Sequence, residues 1–267
     1  MSLGVASAPR GRSLDAGAGS LFCSPVSASI SVVIPCLNEA AIVAGRLSAL
    51  QPLRAAGHEL ILADGGSIDG TMECASGLAD RVECGQPGRA VQMNNGARAA
   101  SGAVLWFLHL DTRPPPEAAG AVLKCALDGP GWGRFDVRLD GTAPMLRVIE
   151  RMMNLRSRLS GIVTGDQGMF VRRDLFQGVG GFPEIALMED LAISRRLKRL
   201  ARPACIPEPV LASSRRWDRD GIWRTIALMW FLRGAYWLGA DPDWLARIYY
   251  PSAVPGSGTH WSPEKGR

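Results

Sequence analysis

Acidic, amide and imidazole side chains recur just after the apolar runs in the first half of the chain. Asn38 and Glu39 follow Ile30–Pro35. Asp64, Ser67 and Asp69 follow Glu59–Ala63. His109, Asp111 and Thr112 follow Ala103–Leu108. If these runs are parallel strands, their carboxyl ends open on one crevice. A crevice lined with Asp, Glu and nearby Arg suits a metal-bound phosphate ligand. One such Asp alone is more often a turn or cap residue, but three acidic strand ends on one edge favour a site. His109 and Asp111, at i and i+2 of an extended segment, project the same way and are both metal-ligand types; a structural histidine is the other reading. Arg89 follows Gly88 at a helix start, where an anion is favoured. Arg215 and Arg216 offer forked donors to phosphate, or are solvated surface charge. Glu189 and Asp190 open a helix about 100° apart, so one of the two is expected to face the site; the alternative is that both only favour the helix N-terminus.

The elements that must position these residues are legible from periodicity. Ile30–Pro35 reads as a strand. Asn38 is placed to cap a helix with Val43, Leu47 and Leu50 on one face. Glu59–Ala63 is a second strand, and residues 67–79 a short helix. Arg81–Cys84 is a third strand, 89–100 a helix, and Ala103–Leu108 a fully apolar central strand. This β-α-β-α-β-α-β order predicts a doubly wound, mostly parallel α/β sheet. Farther on, helices are expected over 116–127, 145–159, 189–200 and 222–238. Strands are expected over 133–139, 168–172, 204–206 and 210–213. A soft boundary near residue 113 has no linker, so one continuous domain over 29–250 is expected, in halves 29–112 and 113–250. Residues 1–28 read as a disordered lead-in and 251–267 as a flexible tail.

Composition narrows the function classes. Of 267 residues, 47% are hydrophobic and 21% charged, within the globular range. No run approaches the roughly 18 apolar residues of a membrane span. The six cysteines are scattered without a CxxC, as in a reduced, cytoplasmic protein, and the first residues lack the apolar core of a secretory signal. The net charge is +5, with 27 arginines among the 30 basic residues, and residues 195–224 hold nine basic against three acidic groups. Biased genome composition is one reading; a phosphate-bearing ligand or an anionic surface is the other. Trp223, Trp230, Phe231, Tyr236 and Trp237, flanked by arginines, either pack onto the domain or a second copy, or meet anionic lipid.

Several ordered phrases carry a resemblance. They are Ser31-Val-Val-Ile-Pro-Cys-Leu-Asn-Glu39, Ala63-Asp-Gly-Gly-Ser-Ile-Asp-Gly-Thr71, His109-Leu-Asp111 and Met188-Glu-Asp190. Together they resemble the family 2 glycosyltransferases of the GT-A fold, over about 30–217. The phrases beginning at Gly88, Gly165 and Gly180 (Gly88-Arg-Ala-Val-Gln-Met-Asn-Asn-Gly96, Gly165-Asp-Gln-Gly168, Gly180-Gly-Phe-Pro-Glu184) are similar to a short bacterial branch, the rSAM/selenodomain-associated transferases.

The resemblance implies a Rossmann-like, mostly parallel sheet with helices on both faces and a smaller acceptor-side lobe. It implies that Pro35, Asn38 and Glu39 hold the nucleotide and that Asp64 meets the base, with Arg89 added on the donor side. Asp111 falls on the metal-holding Asp of the DxD motif, and His109 replaces its first Asp. Mg²⁺ or Mn²⁺ is the implied cofactor. Asp190 falls on the general base. Asp166, Gln167, Glu189, Arg215, Arg216 and Trp217 fall on the acceptor and diphosphate side. Ser213-Ser-Arg-Arg-Trp217 resembles the QxxRW motif of processive members with Ser in place of Gln, which implies single-sugar transfer.

The expected activity is therefore inverting transfer of one sugar, from a UDP- or GDP-linked donor to a small or lipid-linked acceptor. The alternative is a catalytically inactive nucleotide-sugar-binding module. No nucleic acid partner is expected. The expected location is cytoplasmic, with peripheral membrane contact through residues 215–238.

Overall fold

The computed structural model describes Met1 and residues 28–250. The expected lead-in and tail lie outside the described residues, apart from Met1 and Ala28. In chain order the elements begin with β1 (Ile30–Cys36), α1 (Ala40–Ala49), α2 (Gln51–Ala55), β2 (Glu59–Asp64), α3 (Thr71–Ala75), β3 (Arg81–Cys84), α4 (Arg89–Ala99) and β4 (Val104–Phe107). Then come α5 (Ala118–Leu127), β5 (Trp132–Leu139), α6 (Pro144–Ser160), a single 3₁₀ turn (Gly165–Gln167), β6 (Phe170–Arg172) and α7 (Arg173–Gly178). The chain closes with α8 (Glu189–Leu197), β7 (Ala204–Ala212), α9 (Arg215–Asp220), α10 (Ile222–Trp237) and α11 (Pro242–Tyr249).

The seven strands form one sheet in the order β3-β2-β1-β4-β6-β5-β7. Only β6 runs against its neighbours, pairing antiparallel with β4 and β5. All other pairs are parallel. The sheet crosses the soft boundary at 113 without a break, which puts the carboxyl ends of β1, β2, β4, β5 and β7 on one edge. Side-chain alternation builds a core on each face. Val32, Ile34, Leu62 and Trp106 meet α1 and α5 on one side, while Val33, Ile61, Leu105 and Phe107 meet α4, α7 and α8 on the other. Burying each large apolar side chain contributes about 1.5–3 kcal/mol.

Three local expectations are corrected. The expected helix over 67–79 shrinks to α3, because residues 65–70 form a loop held by side chains. Asn38 does not cap α1. Its backbone is left-handed (φ 53°) and its Oδ1 accepts from Ile68 N–H at 3.0 Å. Asp69 and Thr71 from the next loop satisfy the start of α1 instead, accepting from Ala40 N–H and Glu39 N–H. The two strands expected near 204–213 are one edge strand, β7, with a register shift between Phe135 and Asp136 of β5. An edge strand tolerates Pro207 and Pro209, which cannot donate to a ladder.

A smaller group of helices packs against the start of α8. Leu232 of α10 and Leu245 of α11 pack on Leu187, Met188 and Leu191 at the start of α8. The outward stripe of α10 is apolar: Trp223, Trp230 and Trp237 are 71%, 68% and 74% exposed. Those rings do not pack onto the domain, whereas Tyr236 is half-buried beneath the Arg195 guanidinium, 5.2 Å from the ring centre. No helix among the described residues is long and apolar enough to cross a membrane.

Candidate active site

The loops after β1 and β2 are laced into one unit. Asn38 N–H donates to Ser67 Oγ at 2.8 Å and Glu39 N–H to Thr71 Oγ1 at 2.8 Å. Asp64 is buried, and its carboxylate accepts from Gly66 N–H, Ser67 N–H and the Ser67 hydroxyl. The side chain expected to meet a base is thus turned into its own loop, where it fixes the loop's shape. Pro35 is half-buried at the end of β1.

Beyond this unit the carboxyl edge gathers charge. Glu39 is raised to about 7, first by burial and then by Asp111 and Asp69, against the pull of Arg215. Asp111 is pushed up by burial and by Asp166, while Arg215, Arg89 and Arg46 oppose the shift. Asp166 is pushed up by burial and by Asp190, against Arg89, Arg216 and Arg156. Asp190 is pushed up by burial and by Glu189, against two backbone N–H donors and Arg89. Arg89 is exposed at the cleft, and Tyr250, Glu189, Asp166 and Asp190 favour its charge. These shifts describe one cleft in which Glu39, Asp111, Asp166, Glu189 and Asp190 share a field with Arg89, Arg215 and Arg216. The cleft is open: the Asp166 side chain keeps 55% exposure although protein surrounds it.

Asp190 is set by two backbone contacts. Its Oδ2 accepts from Gly165 N–H at 3.0 Å and its Oδ1 from Leu191 N–H at 2.7 Å. Met188, in left-handed backbone (φ 73°), turns the chain into α8 just before it. Of the expected pair, Asp190 is half-exposed and Glu189 is buried, and both help to hold Arg89 charged. Leu187, Met188 and Leu191 pack on Leu232 and Leu245, which seats the first turn of α8 against α10 and α11 with Glu189 buried.

His109 lies beneath the 3₁₀ turn. Its Nδ1 is 3.7 Å from Asp166 Oδ1, and its Nε2 is buried without a partner. Burial and then Arg89 hold its pKa well below the usual value, so the ring is neutral. A Cβ at position 165 would run into Cε1 and Nε2 of that ring. Gly165→Ala is therefore expected to destabilise the protein by about 1–3 kcal/mol through overpacking, read as thermal unfolding. Adding His109→Ala should return most of that loss; no recovery in the double variant would mean that the clash is absorbed elsewhere.

Two expected contacts do not reach the cleft. Gln167 is fully buried, and its Oε1 accepts from Thr164 N–H at 3.2 Å, which holds the 3₁₀ turn. Trp217 packs half-buried on the small core of Val137, Leu139 and Leu146. Arg216 does reach toward Asp166, and it also lies over the Tyr249 ring at 3.9 Å. Two residues that no motif points to, Arg156 and Tyr250, also act on this cleft. Arg156 looks like one of several surface arginines on α6, and Tyr250 follows the last helix.

The donor set fits a hard divalent cation. The Asp166 carboxylate pushes Asp111 up, a repulsion a cation would relieve. Among the described residues no three His, Cys, Asp or Glu side chains form a complete metal cage. A Mg²⁺- or Mn²⁺-type ion takes one or two carboxylates and completes its shell with water and substrate phosphate.

The chain and its fold have counterparts among known proteins. The chain is 30% identical over 169 residues to the glycosyltransferase AglE of Haloferax volcanii, covering 58% of this chain and 56% of that protein. It therefore spans about half the length of the curated relative it matches. Its fold is similar to that of a mannosyltransferase from Pyrobaculum calidifontis solved with GDP-Man and Mn²⁺ (TM-score 0.57, 20% identity, 84% of this chain and 68% of that one). It is also similar to glucosyl-3-phosphoglycerate synthase from Mycobacterium tuberculosis solved with Mn²⁺, UDP and glucosyl-3-phosphoglycerate (TM-score 0.52, 24% identity, 73% and 75%). These likenesses establish the GT-A fold. The sequence pattern of glycosyl transferase family 2 matches residues 31–179, more than half of the chain and the whole stretch from β1 through the 3₁₀ turn to α7, and the chain belongs to that family.

Proposed function

We propose that the protein transfers a single sugar, with inversion, from a nucleotide-sugar donor to an acceptor hydroxyl. The observation that carries this is the meeting of Asp111, Asp166 and Asp190 with Arg89 and Arg215 at one sheet edge. The laced loops after β1 and β2 frame the nucleotide. Arg89 and Arg215 face the diphosphate, with Arg216 beside them. Asp111 and Asp166 would hold Mg²⁺ or Mn²⁺, which supplies charge neutralisation to the leaving diphosphate. The acceptor hydroxyl attacks the anomeric carbon as the bond to the diphosphate breaks, and its proton passes to an Asp190 carboxylate oxygen. Raised above the ordinary Asp range, Asp190 is matched to proton transfer near neutral pH.

A UDP- or GDP-linked donor is supported by the ligands of the two similar structures. The phrases at Gly88, Gly165 and Gly180 support membership of the rSAM/selenodomain-associated branch. The test is a nucleotide-sugar panel with Mg²⁺ or Mn²⁺, reading nucleoside diphosphate release with and without cell extract. Release from at least one donor is expected. Donor binding with no release under any condition would leave an inactive nucleotide-sugar-binding module, the reading that the replaced DxD residue favours.

The same reading places the protein peripherally at the inner face of a membrane. Support comes from the exposed tryptophans of α10 beside Arg224 and Arg233, a pairing that suits anionic lipid and hence a lipid-linked acceptor. Co-flotation with anionic vesicles at low salt is expected, weakening as salt rises. Absence of co-flotation at low salt counts against attachment and favours a small soluble acceptor.

A further inference from the structure

We propose that a second concavity on the same sheet edge, at the ends of β5 and β7, binds the phosphate group of a phosphorylated acceptor. This deepens the transferase reading and rests on it. The concavity measures about 780 Å³. Its floor is set by register. Arg113 forms an antiparallel bridge with Leu211, and Leu211 is in register with Arg138 on β5. Side chains of in-register neighbours project to one face, so Leu211 lies between two arginines whose Cα atoms are about 10 Å apart, two inter-strand steps. Among the described residues neither guanidinium has a hydrogen-bond or ion-pair partner.

The surroundings keep the charge positive and the wall firm. Arg147 donates to Leu139 O and Gly141 O at 2.7 and 2.8 Å and pairs with Glu150 at 3.0 Å, so it is a fixed rim. The one carboxylate lining the concavity, Asp140, accepts from Ser214 N–H at 2.7 Å. Two segments join this concavity to the reacting edge. Arg113 lies two residues beyond Asp111, and the Asp140–Ser214 bond ties the wall to the turn that leads into Arg215. Forked guanidinium donors match phosphate oxygens in pairs, and two unpartnered forks on one face can close on one anion.

The test is calorimetric titration of the full chain with inorganic phosphate while Mn²⁺ and a saturating nucleoside diphosphate fill the donor side. Phosphate is expected to bind still, and the Arg113→Gln, Arg138→Gln pair to weaken it by about tenfold or more. Nucleoside diphosphate affinity should stay within about twofold in that variant. Arg138→Lys, which keeps the charge and loses the fork, should fall between the two and serves if the pair misfolds. Acetate in place of phosphate should bind more weakly. No phosphate binding beside bound nucleotide, equal binding by the variants, or preference for acetate overturns the proposal. Failure of nucleoside diphosphate to bind speaks against the transferase reading instead. Phosphate titrated into the nucleotide-free protein and its variants then still decides whether the anion site exists.

Discussion

Asp190→Asn is expected to lower sugar transfer by about 10²–10⁴-fold while donor affinity stays near normal, because it keeps size and removes the proton acceptor. Burial and the neighbouring Glu189 carboxylate push the Asp190 pKa up, so the acidic limb of the rate profile should lie above the ordinary Asp value of about 3.9. The sign follows from the role. A base works deprotonated, so activity falls as pH drops through the raised value and levels off above it. That limb should vanish in Asp190→Asn. The structure makes Glu189 a closer competitor than helix periodicity alone would, since both carboxylates act on Arg89. Glu189 is buried, while Asp190 is half-exposed and oriented by Gly165 N–H. Glu189→Gln should therefore cost clearly less in turnover. If it costs more, with both variants folded and binding donor, the base is Glu189.

Asp111→Asn is expected to remove the metal-dependent part of donor binding, about 10²-fold in affinity, with the fold intact. Its carboxylate is half-exposed at the end of β4 and accepts no hydrogen bond from the surrounding elements that the fold would miss. In the absence of cation the change should leave thermal stability equal or slightly higher, since it removes one of two charges that repel, Asp111 and Asp166. Donor titrations with Mn²⁺ and with EDTA check this. An EDTA effect of the same size in wild type and variant would mean that the cation is held elsewhere. His109 makes the test sharper. Its neutral ring is fixed under Gly165, with one nitrogen buried, so it is poorly placed to replace the missing carboxylate.

The sequence by itself determined the sheet and its reacting edge. Runs such as Ala103–Leu108, apolar on both faces, are stable only inside a parallel sheet with helices on each side, and β4 is buried accordingly. The polar residues after each run had to emerge at the carboxyl ends, Asp111 among them, and the resemblance drew attention to Asp190 at the start of α8. The cluster of aromatic residues on α10 was also visible, although not that Trp223, Trp230 and Trp237 stay uncovered among the described residues.

Only the tertiary structure decided which of the named side chains face the cleft. Asp64 and Gln167 carry the right chemistry at motif positions, but hydrogen bonds to their own loops turn them inward. Asp190 is half-exposed and Glu189 buried because the left-handed Met188 and the packing of Leu232 and Leu245 set the angle at which α8 enters. Arg156 and Tyr250 reach the site's field from α6 and from beyond α11. The register of Arg113, Leu211 and Arg138 joins residues nearly a hundred positions apart. Periodicity fixes the face on which a residue lies within its own element. Which faces then meet depends on how distant elements pack, and a local pattern of residues carries no information about that.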